Sequence, residues 1–183
     1  MRRHSHALAA ILICVAAGQL PAQTPALTND LIKDISAAQK KFVALASELS
    51  AEQYAWRPAE GVRSSQEILL HVAAGNYFTA TPMGVAAPPA TAISATDYSG
   101  VAAFEKQKLD KAATVAAVQS SFDHLHSALS TIPESRLDEK VKVFGQDFSI
   151  RQFMILATTH MHEHLGQLIA YARMNGVAPS WSR

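Results

Sequence analysis

The spacing of apolar residues is the feature that most limits the folds open to this chain: they recur at steps of three and four in four separate stretches. In TNDLIKDISAAQKKFVALASELS, from Thr28, the series Leu31, Ile35, Phe42, Leu45 and Leu49 marks one face of a helix, with Lys33, Lys40, Lys41 and Glu48 mostly elsewhere. The segment SAEQYAWRPAEGVRS ends it, with Pro58 and Gly61 as breakers. A second helix opens at Ser64, which forms a capping-box pattern with Glu67, and continues through SQEILLHVAAGNYFTA, a run apolar enough to be largely buried. The third, DKAATVAAVQSSFDHLHSALSTIP, sets Val115, Val118, Phe122, Leu125 and Leu129 on one stripe and ends before Pro133. The fourth opens at Ser149 in a second capping box, SIRQ, and runs from Ile150 to Met174, where Asn175, Gly176 and Pro179 stop it.

Strand signal is confined to VKVFGQDF, where alternation around Gly145 predicts a short β-hairpin just before the last helix. Residues 82–99 carry three prolines and no sustained period, which reads as a long surface loop between the second and third helices; a short helical piece follows around Val101 to Lys108. The fold class is therefore all-α, a four-helix bundle. The loop argues against plain up-down-up-down connectivity, because it is long enough to cross the bundle end.

The N-terminus has a different character. Arg2 and Arg3 precede an apolar stretch from Ala7 to Ala17, followed by Gly18, Gln19, Leu20, Pro21 and Ala22, the three-part layout of a secretory signal peptide cleaved near Ala22. The stretch is well short of the roughly 20 residues that span a bilayer, so no stable membrane span is expected after cleavage. The expected organisation is a signal peptide over residues 1–22 and one helical domain over 23–183, exported to the periplasm or secreted. Cys14, the only cysteine, falls inside the apolar stretch, which leaves the domain with neither a disulfide nor a thiolate ligand. The whole chain has sixteen Lys and Arg against fifteen Asp and Glu, and residues 1–22 hold two of the arginines and no acid, leaving fourteen against fifteen. Nucleic-acid binding, which needs a basic face, is not expected.

Of eight histidines, His4 and His6 belong to the leader, and six remain: His71, His124, His126, His160, His162 and His164. In TTHMHEHLGQ, helical geometry puts His160 and His164 about 40° apart with Cβ atoms roughly 6 Å from one another, a spacing that can clip one metal ion. His162 lies about 200° around from His160 and points away. A catalytic zinc-type site commonly takes a third protein ligand. His71, in the middle of the apolar second helix, is the best candidate, the plain alternative being a core histidine satisfied by a hydrogen bond. His124 and His126 flank the core stripe of the third helix and read as boundary residues. Glu163 and Gln167, at about 300° and 340° from His160, border the stripe and are candidates for a base or a supporting hydrogen-bond partner, with a solvated charge as the alternative for Glu163. His162-Glu163-His164 is not the zincin motif, since Gly166 stands where its second histidine belongs.

YAWRPAEGVRSSQEILLHVAAGNYF and THMHEHLGQLIAYARMNGVAPSW together resemble the first loop, the histidine-bearing second helix and the closing helix of the DinB-like metal-binding four-helix bundles, also called the damage-inducible or YfiT-like superfamily. The resemblance implies a divalent ion, zinc or nickel, held by His71, His160 and His164. It also implies membership of a group that includes thiol-dependent transferases, related isomerases and metal-dependent hydrolases without a known substrate, and whose members often pair as dimers. The expected export would separate this chain from cytosolic thiol cofactors, which weakens the transferase reading. The expected function is a metal-dependent hydrolase that acts through metal-activated water on a small molecule. A metal-dependent thiol S-transferase and a non-catalytic metal-binding or structural module stand as alternatives. Imidazole nitrogen alone does not select among Zn, Ni, Cu and Fe.

Overall fold

The computed structural model describes residues 26–182, so the expected signal peptide lies outside the described residues. Four long helices form the bundle: α1 (Ala26–Glu48), α3 (Ser65–Ala80), α5 (Lys111–Ser130) and α6 (Ile150–Met174). Two short helices, α2 (Ala51–Ala55) and α4 (Ser99–Glu105), lie between them. The expected hairpin is present, with β1 (Lys140–Val143) antiparallel to β2 (Gln146–Ser149) and Val141 opposite Phe148. No helix among the described residues is long and apolar enough to cross a membrane.

Helix starts follow side-chain chemistry. Ser64 with Glu67 and Ser149 with Gln152 close reciprocal capping boxes at the heads of α3 and α6, and Asp110 caps α5 through the Ala113 amide. Helix α2 is absent from the sequence reading, which took its residues as a terminator. A third box, Ser50 with Gln53, nucleates it, and the Tyr54 hydroxyl donates to the Ala46 carbonyl and folds it back onto α1.

Helices α1 and α3 each pack against both α5 and α6, so α1 and α3 stand at opposite corners and consecutive long helices are not always neighbours. The chain changes corner through α2 and again through the hairpin. The segment after α3 does not cross the bundle end: α4 lies along α3 itself. There Gly100 allows the close approach of α4 to the loop, because a Cβ on it would sit 2.1 Å from the Ala92 carbonyl oxygen. The main core joins Phe42 and Leu45 of α1, Ile68 and Leu69 of α3, and Phe122 of α5 with Leu168 of α6. A second apolar cluster, including Leu70, Phe78, Phe104 and Phe153, fills the space between α3, α4 and the hairpin end of α6. Packed on both sides, α3 has thirteen of its sixteen residues buried, which explains why its sequence is apolar all round.

Candidate metal centre

Burial of α3 carries His71 into the interior, where it is 6% exposed. Across from it α6 presents His160 and His164, one turn apart, from the edge of its buried stripe of Met161, Leu165 and Leu168. The three rings meet. His71 Nε2 and His160 Nε2 are 3.1 Å apart, as are His160 Nε2 and His164 Nε2. One ring nitrogen from each lies within 4.8 Å of the other two. Tetrahedral ligands at about 2.05 Å from a zinc-type ion are separated by about 3.3 Å, so the spacing is that of a ligand set.

The far sides of two rings determine what the near sides can do. Glu105 Oε2 lies 2.9 Å from His71 Nδ1, and a carboxylate only accepts, so Nδ1 donates and Nε2 keeps its lone pair. Gln167 turns its Oε1 to His164 Nδ1 at 3.0 Å and its amide nitrogen to the Tyr171 hydroxyl at 3.1 Å, which leaves the His164 Nε2 lone pair facing inward as well. His160 Nε2, between them, has at most one proton and cannot satisfy both. A cation at the convergence removes that conflict of lone pairs, and this is the observation by which the residues fit a metal.

Behind His71 the support continues. Arg63 grips Glu105 with two bonds, Nε to Oε1 at 2.6 Å and Nη2 to Oε2 at 3.2 Å, which fixes the carboxylate against His71. Burial would raise the Glu105 carboxyl, but the hydrogen bonds from Arg63 and His71 outweigh it and hold it below the usual carboxylate range. His160 is pushed down to about 4, first by burial and then by the neighbouring His164, His71 and Arg63. His71 is lowered too, by burial foremost, with Arg63 and His164 adding to it and Glu105 opposing. Both rings are thus held neutral near pH 7, the state a metal ligand needs.

The structure brings together the three histidines singled out in the sequence. His162 points away as expected and meets Asp34 at 2.7 Å on the exposed side. His124 and His126 are half-buried at the flanks of α5. Of the two supporting candidates, Gln167 holds His164, whereas Glu163 is exposed. Glu105 and Arg63 were not legible: Glu105 is 34 residues from His71, and the loop between carries no pattern that would join them.

A cavity of about 270 Å³ adjoins the centre, bounded by His71 and His160 on one side and by Phe78, Tyr98, Phe144 and Phe153 among the rest of its lining. Among the described residues, no Asp, Glu, Lys or Arg lines it. Tyr98 is shifted upward by burial and by Glu105, with Arg63 opposing, which keeps its hydroxyl protonated.

Comparison with known proteins places these features. A family model described as the DinB superfamily matches residues 34–168. Among solved structures, a DinB-like protein from Bacillus subtilis superposes with a TM-score of 0.63 at 20% identity, covering 82% of this chain and 94% of that one. A DinB-like protein from Bacillus cereus gives 0.68 at 13% identity, with 82% and 94% covered. YfiT from Bacillus subtilis, described as "a probable metal-dependent hydrolase with an unusual four-helix bundle topology", gives 0.63 at 12% identity, with 82% and 89% covered. At these identities the structural likeness speaks for the fold. No curated protein matches the chain in sequence.

Proposed function

This chain belongs to the DinB superfamily, and on that premise we propose that it is a metal-dependent hydrolase of small molecules, with His71, His160 and His164 as the ligands of one divalent ion. The convergence of three Nε2 atoms, two of them with their lone pairs fixed inward, carries this reading. A divalent cation held there supplies Lewis acidity and lowers the pKa of water, which is the chemistry of hydrolysis near neutral pH. The description of YfiT as a probable metal-dependent hydrolase supports the same class.

The chain's own residues supply orientation. Arg63 aligns Glu105, Glu105 fixes the tautomer of His71, and Gln167 with Tyr171 does the same for His164. Among the described residues only three such donors gather, so the protein would not by itself fill the shell of a four-coordinate ion, which favours a working centre over a structural one. The leader-like residues 1–22 support action in the periplasm or outside the cell.

The test is turnover of a panel of aryl and alkyl esters and amides by zinc- or nickel-loaded protein against the chelated form. Metal-dependent hydrolysis of any member, lost in His160→Ala, supports the reading. Tight metal binding without turnover, joined to thiol transfer onto electrophiles, would replace it with the transferase.

A further inference from the structure

The cavity beside the centre has a chemical character of its own. It borders His71 and His160, is walled by the side chains of Phe78, Tyr98, Phe144 and Phe153, and has no formally charged side chain in its lining among the described residues. At about 270 Å³ it is slightly smaller than the roughly 300 Å³ at which drug-sized ligand sites begin, enough for one ring with a short substituent.

One wall comes from an unusual backbone. Phe144 and Gly145 are the two residues between β1 and β2, with φ of +52° and +76°, so both stand in the left-handed region of a tight hairpin turn. Asn, Asp or Gly ordinarily holds the first of these positions, because a bulky side chain is disfavoured there. Phe144 is nevertheless present, 65% exposed, stacked on Phe78 at a centroid distance of 5.4 Å and 19° between planes, and edge-on to Tyr98 at 5.5 Å. Phe78 also meets Phe153 edge-on at 6.5 Å. The hairpin adopts a disfavoured local choice and thereby sets an exposed ring in the cavity lining. Local strain of this sort is found where a position serves a site.

We propose that this cavity is the pocket that selects the substrate, taking a neutral aryl group or an apolar group of similar size, with Phe144 as its roof. The proposal rests on the metal-centre reading, because the pocket opens beside two of the ligands. A carboxylate or phosphate tail is disfavoured, since among the described residues no Lys or Arg lines the pocket and Arg63, behind His71, is occupied by Glu105. Elsewhere in the lining, Gly75 adds no side chain beside His160: a Cβ there would meet the ring at 3.9 Å.

The experiment compares benzohydroxamate with acetohydroxamate, two chelating probes that differ by the ring, in calorimetric titrations of the zinc-loaded protein. Benzohydroxamate is expected to bind at least about tenfold more tightly, from burial of its ring. In Phe144→Asn most of that preference is expected to vanish while thermal stability holds or rises, because Asn suits the left-handed position. Leu156→Glu, at a half-exposed position of the lining, is expected to abolish the preference by bringing a charge to the pocket. Equal affinities for the two probes would overturn the pocket and leave the metal centre standing. If zinc is not retained, the metal reading fails, and the pocket is decided on the metal-free protein by NMR titration with benzamide. Saturable shifts at the Gly75 and Phe153 amides support it; their absence, or a self-association that covers Tyr98 and Phe144 and blocks the probe, overturns it.

Discussion

His71 and His160 are 89 residues apart in the chain, and their Nε2 atoms lie 3.1 Å apart in the fold. Two ring nitrogens at that distance, in the absence of a shared cation, stabilise the folded state only if one of them donates. A divalent ion that binds the folded chain therefore raises its stability, by about 2.7 kcal/mol at a free concentration one hundred times the dissociation constant. Thermal melts with zinc and with chelator should differ by several degrees. The difference should disappear in His160→Ala.

Glu105 acts on metal affinity without touching the metal. In Glu105→Gln the orientation of His71 is weakened and the charge facing its Nδ1 is lost, so affinity should fall by about 10- to 100-fold. Competition titration against a chromophoric chelator measures this. Arg63→Ala should produce a smaller loss in the same direction, since it works only through Glu105.

In the metal-free protein, pH should reveal the buried imidazoles. His160 has an ordinary value of 6.5 and a folded value of about 4, so between these limits the unfolded chain binds the extra proton. Stability contributed by the neutral ring is complete above 6.5 and is lost as pH falls toward 4. Urea denaturation across pH 4.5 to 7.5 in the presence of chelator should show this decline. His160→Gln should make it shallower in that window; the remainder belongs to His71, His124 and His126, which burial also holds below the ordinary imidazole value.

Gly100 connects the packing of the loop to the site. Gly100→Ala would force the backbone near Ala92 away from α4, the helix that ends on Glu105. An overpacking cost of about 1–3 kcal/mol is expected. Metal affinity should fall with it, by less than in Glu105→Gln. Denaturation and chelator competition on the same variant separate the two effects.

The legible parts of the molecule were those encoded locally. The boxes at Ser64 and Ser149 marked the heads of α3 and α6, the apolar spacing gave four long helices, and the one-turn interval between His160 and His164 gave a metal clip. His71 could be nominated because an imidazole in so apolar a helix needs a reason to be there. The rest depends on tertiary placement. Ser50 and Gln53 form a box too, but Pro58 and Gly61 close behind mark the same stretch as a helix terminator, and the five residues of α2 are too few to show a period of their own. Glu105 sits on a seven-residue helix with no strong pattern, and only the packing of α4 on α3 brings it to His71. Glu163, nominated from its helical angle, lies just far enough around α6 to face solvent.

Metal content by inductively coupled plasma mass spectrometry tests the centre most directly, on purified protein and on the variants His71→Ala, His160→Ala, His164→Ala and His162→Ala. One equivalent of a divalent metal is expected in the unaltered protein and in His162→Ala, with loss of the metal in each of the other three. Metal retained at full occupancy after removal of any one of His71, His160 or His164, or lost with His162, would contradict the site.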